Sequence, residues 1–232
     1  MNSPQKKHRK RKIKARNGEI PCGEKMNESK IILDLCGGTG AWSKPYKEAG
    51  YEVINVTLPE YDVRTFEPPE NVYGILAAPP CTQFSFARTH AKKPRNLDEG
   101  LEIVLACFKI IWQCQKRISK DTTKTPPLKF WCLENPYGML NWFLGYPTFT
   151  FQPYEFGDGY SKKTCLWGRF NVPKKLEKFE RKYNKKFDKL LMSELREIRS
   201  IGDLVFANPK TRQELRGITP PKFAQAFFEA NK

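Results

Sequence analysis

The chain has 232 residues, 39% of them hydrophobic, and carries 41 Lys and Arg against 25 Asp and Glu, a net charge of +16. That length suits one sizeable α/β domain, or one domain with a small appendage, and the charge points to a polyanionic partner, nucleic acid first, ahead of a merely solubilising surface. The seven cysteines are scattered without a Cys-x-x-Cys pair and the only histidines are His8 and His90, so neither a disulfide framework nor a metal site is expected, and no apolar run reaches the length of a bilayer.

Residues 1–29 read as a basic, disordered arm. Eight cations lie between Lys6 and Arg16 with no acid among them, a pattern that suits phosphate tracking, nuclear targeting or solubility. No apolar segment follows, so the arm does not read as a secretory signal. Lys30 to Leu35 is a short apolar strand. The turn Gly37-Gly38-Thr39-Gly40 follows, then a helix through Ala49. Strand, glycine turn and helix open a nucleotide-binding unit, although the third glycine of the dinucleotide fingerprint is missing. Tyr51 to Val56 is the second strand. Such folds place a ribose-binding acid at its end, and here the chain reads Ile54-Asn55-Val56-Thr57, which leaves Asn55 or Thr57 for that contact.

Val72 to Ala78 is a buried strand stopped by Pro79-Pro80. It delivers Cys81 to the carboxyl edge of the sheet, where open α/β sheets bind ligands. Phe86 to Asn96 is a basic loop. Asn96 caps the next helix with Glu99 reaching back. Leu101, Val104, Leu105, Phe108, Ile111 and Trp112 form its core-facing stripe, with Cys107 and Cys114 as packing residues. Leu128 to Leu133 is another strand, and Glu134-Asn135-Pro136 brings a carboxylate to the same edge. Strands are expected around Phe149–Phe151 and Thr164–Trp167. Lys174 to Arg199 has helical character, with Leu176, Phe179, Tyr183, Phe187, Leu190 and Leu191 as its stripe. Thr219-Pro220-Pro221 opens a last helix.

Four stretches, in order, resemble the motif series of the cytosine-5 methyltransferases that use S-adenosyl-L-methionine. They are Asp34-Leu35-Cys36-Gly37-Gly38-Thr39-Gly40, Pro79-Pro80-Cys81-Thr82-Gln83-Phe84-Ser85, Leu133-Glu134-Asn135-Pro136, and Arg216-Gly217-Ile218-Thr219-Pro220-Pro221 with the helix behind it. The resemblance covers Lys30 to Gly168, and Gly217 to the end more loosely. It implies a Rossmann-like class I methyltransferase α/β sheet with helices on both faces. A catalytic domain at 30–168, a small basic target-binding module at 169–212 and a returning C-terminal helix at 213–232 follow from it.

The resemblance also implies roles. Asp34, Leu35, Cys36, Gly38, Gly40, Asn55, Pro79 and Thr219 would hold the cofactor, and Asp62 would face its adenine. Cys81 would be the nucleophile, and Glu134 would hold the cytosine ring nitrogen. Lys162 and Lys163 stand where the family has arginines, and Gln83 falls one place later than the family's glutamine. The basic loop after Cys81 would close over the flipped base. The implied activity is methyl transfer to carbon 5 of cytosine in DNA. RNA as the polymer, or a degenerate domain that only binds nucleic acid, are the alternatives. A monomer with a short or relaxed target preference is expected, in a bacterial or phage-infected cytoplasm or a eukaryotic nucleus.

Overall fold

The computed structural model of the chain describes residues 30–86, 88, 91–116, 128–179 and 217–232. Four strands run parallel: β1 (Ile31–Leu35), β2 (Glu52–Val56), β3 (Val72–Ala77) and β4 (Phe130–Pro136). Two more are β5 (Phe149–Phe151) and β6 (Thr164–Arg169). β6 lies antiparallel on β4, and β5 antiparallel on β6. The sheet order is β2-β1-β3-β4-β6-β5. The order reverses between β1 and β3, so the chain leaves their carboxyl ends in opposite directions. A crevice opens at such a point in doubly wound sheets.

Helices cover both faces. They are α1 (Lys44–Glu48), α2 (Leu97–Lys116), α3 (Leu140–Leu144) and α4 (Pro221–Asn231). Leu33 and Leu35 of β1 join one core, with Val104, Cys107 and Ile111 of α2. Ile32 faces the opposite core, with Trp42, Tyr46 of α1 and Phe223 and Phe227 of α4. Strands buried on both sides read as unbroken apolar runs, which is why β1 and β3 could be located from composition alone. Among the described residues no helix is long and apolar enough to cross a membrane.

Four expectations are corrected. The helix after the glycine turn is shorter than expected, ending at Glu48 with Pro45 in its first turn. β4 does not stop before Glu134 but continues through Pro136, because antiparallel β6 carries its pairing past the point where β3 ends: Glu134 pairs with Leu166 and Pro136 with Thr164. On α2 the buried face runs Gly100, Val104, Cys107, Ile111, Cys114, while Leu105 and Trp112 are exposed. Cys107 and Cys114 pack there as expected, and Gly100 sits where the helix meets the Phe84 ring closely, a position that a count of hydrophobic bulk misses. Lys174 to Phe179 is irregular rather than helical, and Leu176 and Phe179 are exposed. The remainder of that stripe, the 1–29 arm and most of the 169–212 module lie outside the described residues.

The last helix is held at both ends. Pro220 offers α4 no capping side chain, and Asp158, distant in sequence, accepts from the Lys222 and Phe223 amides at 3.3 Å each. At the far end Asn231 accepts from the Asn171 amide at 2.8 Å and donates to the Asn171 carbonyl at 3.0 Å.

β3 and β4 approach through a glycine. Gly74 pairs with Phe130, and a Cβ on Gly74 would overlap the Phe130 ring. Gly74→Ala is expected to destabilise the chain by about 1–3 kcal/mol, and by less in a Phe130→Leu background. Thermal melting of the four combinations checks this, and equal costs in both backgrounds would refute the overlap.

Candidate active site

A cleft of about 610 Å³ lies at the carboxyl ends of β1, β3 and β4. Three chain segments form its walls: the glycine turn after β1, the Ala78–Thr82 stretch after β3, and Gly217–Thr219 ahead of α4. Glu134 and Lys162 close it from the β4–β6 side.

The glycine-turn wall is built around Asp34. Its carboxyl group is fully buried, and Ser43 Oγ donates to Oδ2 at 2.6 Å. Oδ1 has no hydrogen-bond partner among the described residues. Burial pushes the Asp34 pKa up to about 6, with the Ser43 hydrogen bonds opposing the rise. The next residues turn sharply: Cys36, Gly38 and Gly40 have φ of 56°, 54° and 69°. Between them Gly37 is pinned, since a Cβ there would overlap both the Asp34 carboxyl group and the Asn55 amide oxygen. Asn55 Nδ2 donates to the Gly38 carbonyl at 3.0 Å. The turn is thus clamped from β1 and β2 together.

The thiol wall is fixed from two directions. Ala78 N donates to the Leu35 carbonyl at 2.9 Å, and Pro79 and Pro80 then aim the chain into a 3-10 turn, Cys81–Gln83. Phe84 is buried beneath it, and Ser85 bridges to Gly138 just beyond β4. Gly100 of α2 admits this turn at close range: a Cβ there would stand 2.9 Å from the Phe84 ring. From the other side Asn135, fully buried, donates through Nδ2 to the Pro79 carbonyl at 2.9 Å. The residue beside Glu134 therefore holds the backbone two positions before Cys81.

Glu134 and Lys162 form a partly desolvated pair. Oε1 and Nζ are 3.8 Å apart, with side chains 12% and 14% exposed. Burial raises the Glu134 pKa, and the lysine partly offsets that rise. Such a carboxyl group holds a proton more readily than an exposed glutamate does, which suits it to proton sharing.

The cleft gathers Asp34, Cys36, Gly38, Thr57, Pro79, Cys81, Glu134, Lys162 and Thr219. The other residues singled out from the sequence lie elsewhere. Leu35 is in the core, and Gly40 shapes the turn through the Lys44 amide and Ser43 hydroxyl that its carbonyl accepts. Asn55 braces the turn, while Thr57 lines the cleft. Asp62 accepts from Arg64 Nε at 3.0 and 3.1 Å, and this bonding holds its pKa down to about 2. Lys163 is exposed, with Nζ 4.1 Å from the centre of the Tyr137 ring. Gln83 organises the basic loop: Oε1 accepts from Arg88 at 2.7 Å and from the Asn96 amide at 3.0 Å. It thereby takes the place expected of Glu99 in the α2 cap, where only the Asn96 half is formed, Glu99 N donating to Asn96 Oδ1 at 3.1 Å. Ser43, Trp42 and Leu58 were not anticipated. Only Ser43 had a signal, a hydroxyl one residue before the α1 start.

No protein-family model matches the chain, and a search of the curated proteins finds no match.

Asp34 yields a test of purpose. Its pKa in the folded chain lies above the ordinary value of 3.8, so its ionised form opposes folding. That penalty grows as pH rises from about 4 to 6 and stays constant above. At pH 7 it is on the order of 3 kcal/mol, with the opposing Ser43 hydrogen bonds already included. Asp34→Asn should therefore melt no lower than the wild type at pH 7 and lose that advantage near pH 4. A variant less stable at pH 7 would make Asp34 a structural residue rather than one kept for a ligand.

Proposed function

We propose that the chain transfers a methyl group from S-adenosyl-L-methionine to carbon 5 of cytosine in DNA, through a covalent bond between Cys81 and carbon 6 of the base. The observation that carries this reading is the convergence of Cys81, Glu134, Lys162 and the Asp34 turn on one cleft. A thiol alone would be weak support, since most cysteines outside disulfides are packing residues.

The residues present fit such a cofactor. The unpartnered Asp34 Oδ1 and the open space beside Gly38 suit a ligand whose methionine end carries an ammonium group, with Thr57 and Thr219 within the same walls. When bound, S-adenosyl-L-methionine supplies an electrophilic methyl group.

The chain's own residues then have distinct work. The Cys81 thiolate adds to carbon 6 of cytosine, and the electron pair of the 5,6 double bond moves toward carbon 5 and the ring. Glu134 shares a proton with ring nitrogen 3 as this charge develops. Lys162 keeps the Glu134 carboxylate accessible despite its burial. Once carbon 5 is methylated, it loses its proton, the double bond reforms and the thiolate departs. Dividing one hard step in this way is covalent catalysis. The base reaches the cleft only outside a stacked duplex.

Nucleoside mass spectrometry of DNA from bacteria that lack cytosine methylation and express the chain tests the reading. New 5-methylcytosine is expected with the wild type and none with Cys81→Ser. Glu134→Gln should reduce the methylation rate by about 10²–10⁴-fold. Unmodified DNA from cells with folded protein would refute DNA as the substrate, and the same measurement on total RNA would decide between RNA and a binding-only domain.

A further inference from the structure

The cleft does not account for a group of aromatic side chains beside it. Phe86, Tyr137 and Trp142 are 45%, 48% and 69% exposed. They form a contiguous surface, with Phe86 ring centres 6.1 Å from both Tyr137 and Trp142. This surface is joined to the site by backbone. Phe86 lies five residues after Cys81 and Tyr137 three after Glu134. The two segments are stitched by the Ser85–Gly138 bridge and by Met139 N donating to the Phe84 carbonyl at 2.9 Å. The rings therefore hold a fixed position relative to the nucleophile.

An exposed apolar patch of this kind marks an interaction site, and charge identifies the occupant. Residues 84–97 contain Arg88, Lys92, Lys93 and Arg95 and no acid, and residues 135–154 contain no acid either. Lys163 stands with its ammonium over the Tyr137 ring at the platform's rim. Exposed aromatic faces, one of them under a lysine ammonium, on segments that carry cations and no acid match unpaired nucleotides. Every base presents a π face and every linkage a negative charge.

Resting on the nucleic-acid reading above, we propose that Phe86, Tyr137 and Trp142 are a stacking platform for unpaired bases flanking the target nucleotide, so that the site takes its substrate as a single-stranded or locally opened segment. The platform supplies stacking, and Lys163 with the lysines of the loop supplies phosphate contact.

Fluorescence anisotropy of the full chain with a labelled oligothymidylate and with a duplex of equal length, across a salt series, tests this. Thymidylate contains no target base, so the platform is read apart from the cleft. The wild type should prefer the single strand. A Phe86→Ala, Trp142→Ala double variant should lose at least about fivefold in single-strand affinity with an unchanged salt slope, and Phe86→Tyr with Trp142→Phe should retain it. Lys163→Ala should lower the slope. A wild type that binds nucleic acid together with an alanine variant that binds equally well would overturn the platform and leave the nucleic-acid reading standing. A wild type that binds neither polymer would overturn both. Unchanged affinity with a dimer-to-monomer shift in sedimentation would assign the patch to a second copy of the chain and overturn the proposal.

Discussion

The hydrogen bond from Asn135 to the Pro79 carbonyl is the constraint on which the candidate site depends. Parallel pairing between β3 and β4 ends at Ala77 and Leu133. Beyond it the two chains could diverge, one toward Cys81 and the other toward Glu134. A buried side-chain amide spans that gap, and the two prolines leave the Cys81 approach few other conformations. The bond is worth roughly 1 kcal/mol in stability, with a larger penalty when one partner is left unsatisfied. Its greater effect is positional, since small displacements of reacting groups carry a large penalty in rate.

The same cleft carries two carboxyl groups in opposite circumstances. Asp34 is raised by burial and keeps one oxygen without a donor. Glu134 is raised by burial too, but Lys162 stands 3.8 Å away. A buried carboxylate with one oxygen unsatisfied opposes folding, and the cationic ligand of the proposed function would supply the missing partner. A carboxylate already paired with a lysine can instead gain and lose a proton. Under the proposed function these environments suit binding at the first and proton sharing at the second, and the sheet separates them by placing β3 between their strands.

Much of this arrangement was legible in the sequence because its signals are local. β1 and β3 are buried on both faces and read as apolar runs, and Pro79-Pro80 marks where β3 must stop. Glu134, two residues before β4 ends, was legible as a carboxylate out of place after an apolar run. The remainder depends on contacts between distant segments. Nothing near Asp158 announces that it caps α4, because the cap is formed 64 residues away. Asn55 and Thr57 are equivalent candidates in a linear reading, and a pleat would put both on one face; β2 ends at Val56, so Asn55 braces the glycine turn from within the strand while Thr57, just beyond it, meets the cleft. Gln83 falls one place later than the glutamine of the family it resembles, and its amide is the hub that joins Arg88, Asn96 and Glu99. On α2 the cysteines pack as their spacing indicates, but Leu105 and Trp112 face outward although their bulk suggests burial, and Gly100 joins the buried stripe with no side chain to signal it.

The central claim is that Cys81 bonds to carbon 6 of a cytosine. Denaturing mass spectrometry of the full chain tests it most directly, after incubation with S-adenosyl-L-methionine and DNA, single-stranded and duplex, carrying 5-fluorocytosine. Fluorine cannot leave carbon 5 as a proton does, so the bond to sulfur would persist. A covalent mechanism at Cys81 predicts a protein heavier by the oligonucleotide and one methyl group, with the adduct on the peptide containing Cys81 and absent from Cys81→Ser. An unmodified protein that nonetheless binds the oligonucleotide and cofactor, or an adduct on a different residue, would contradict it.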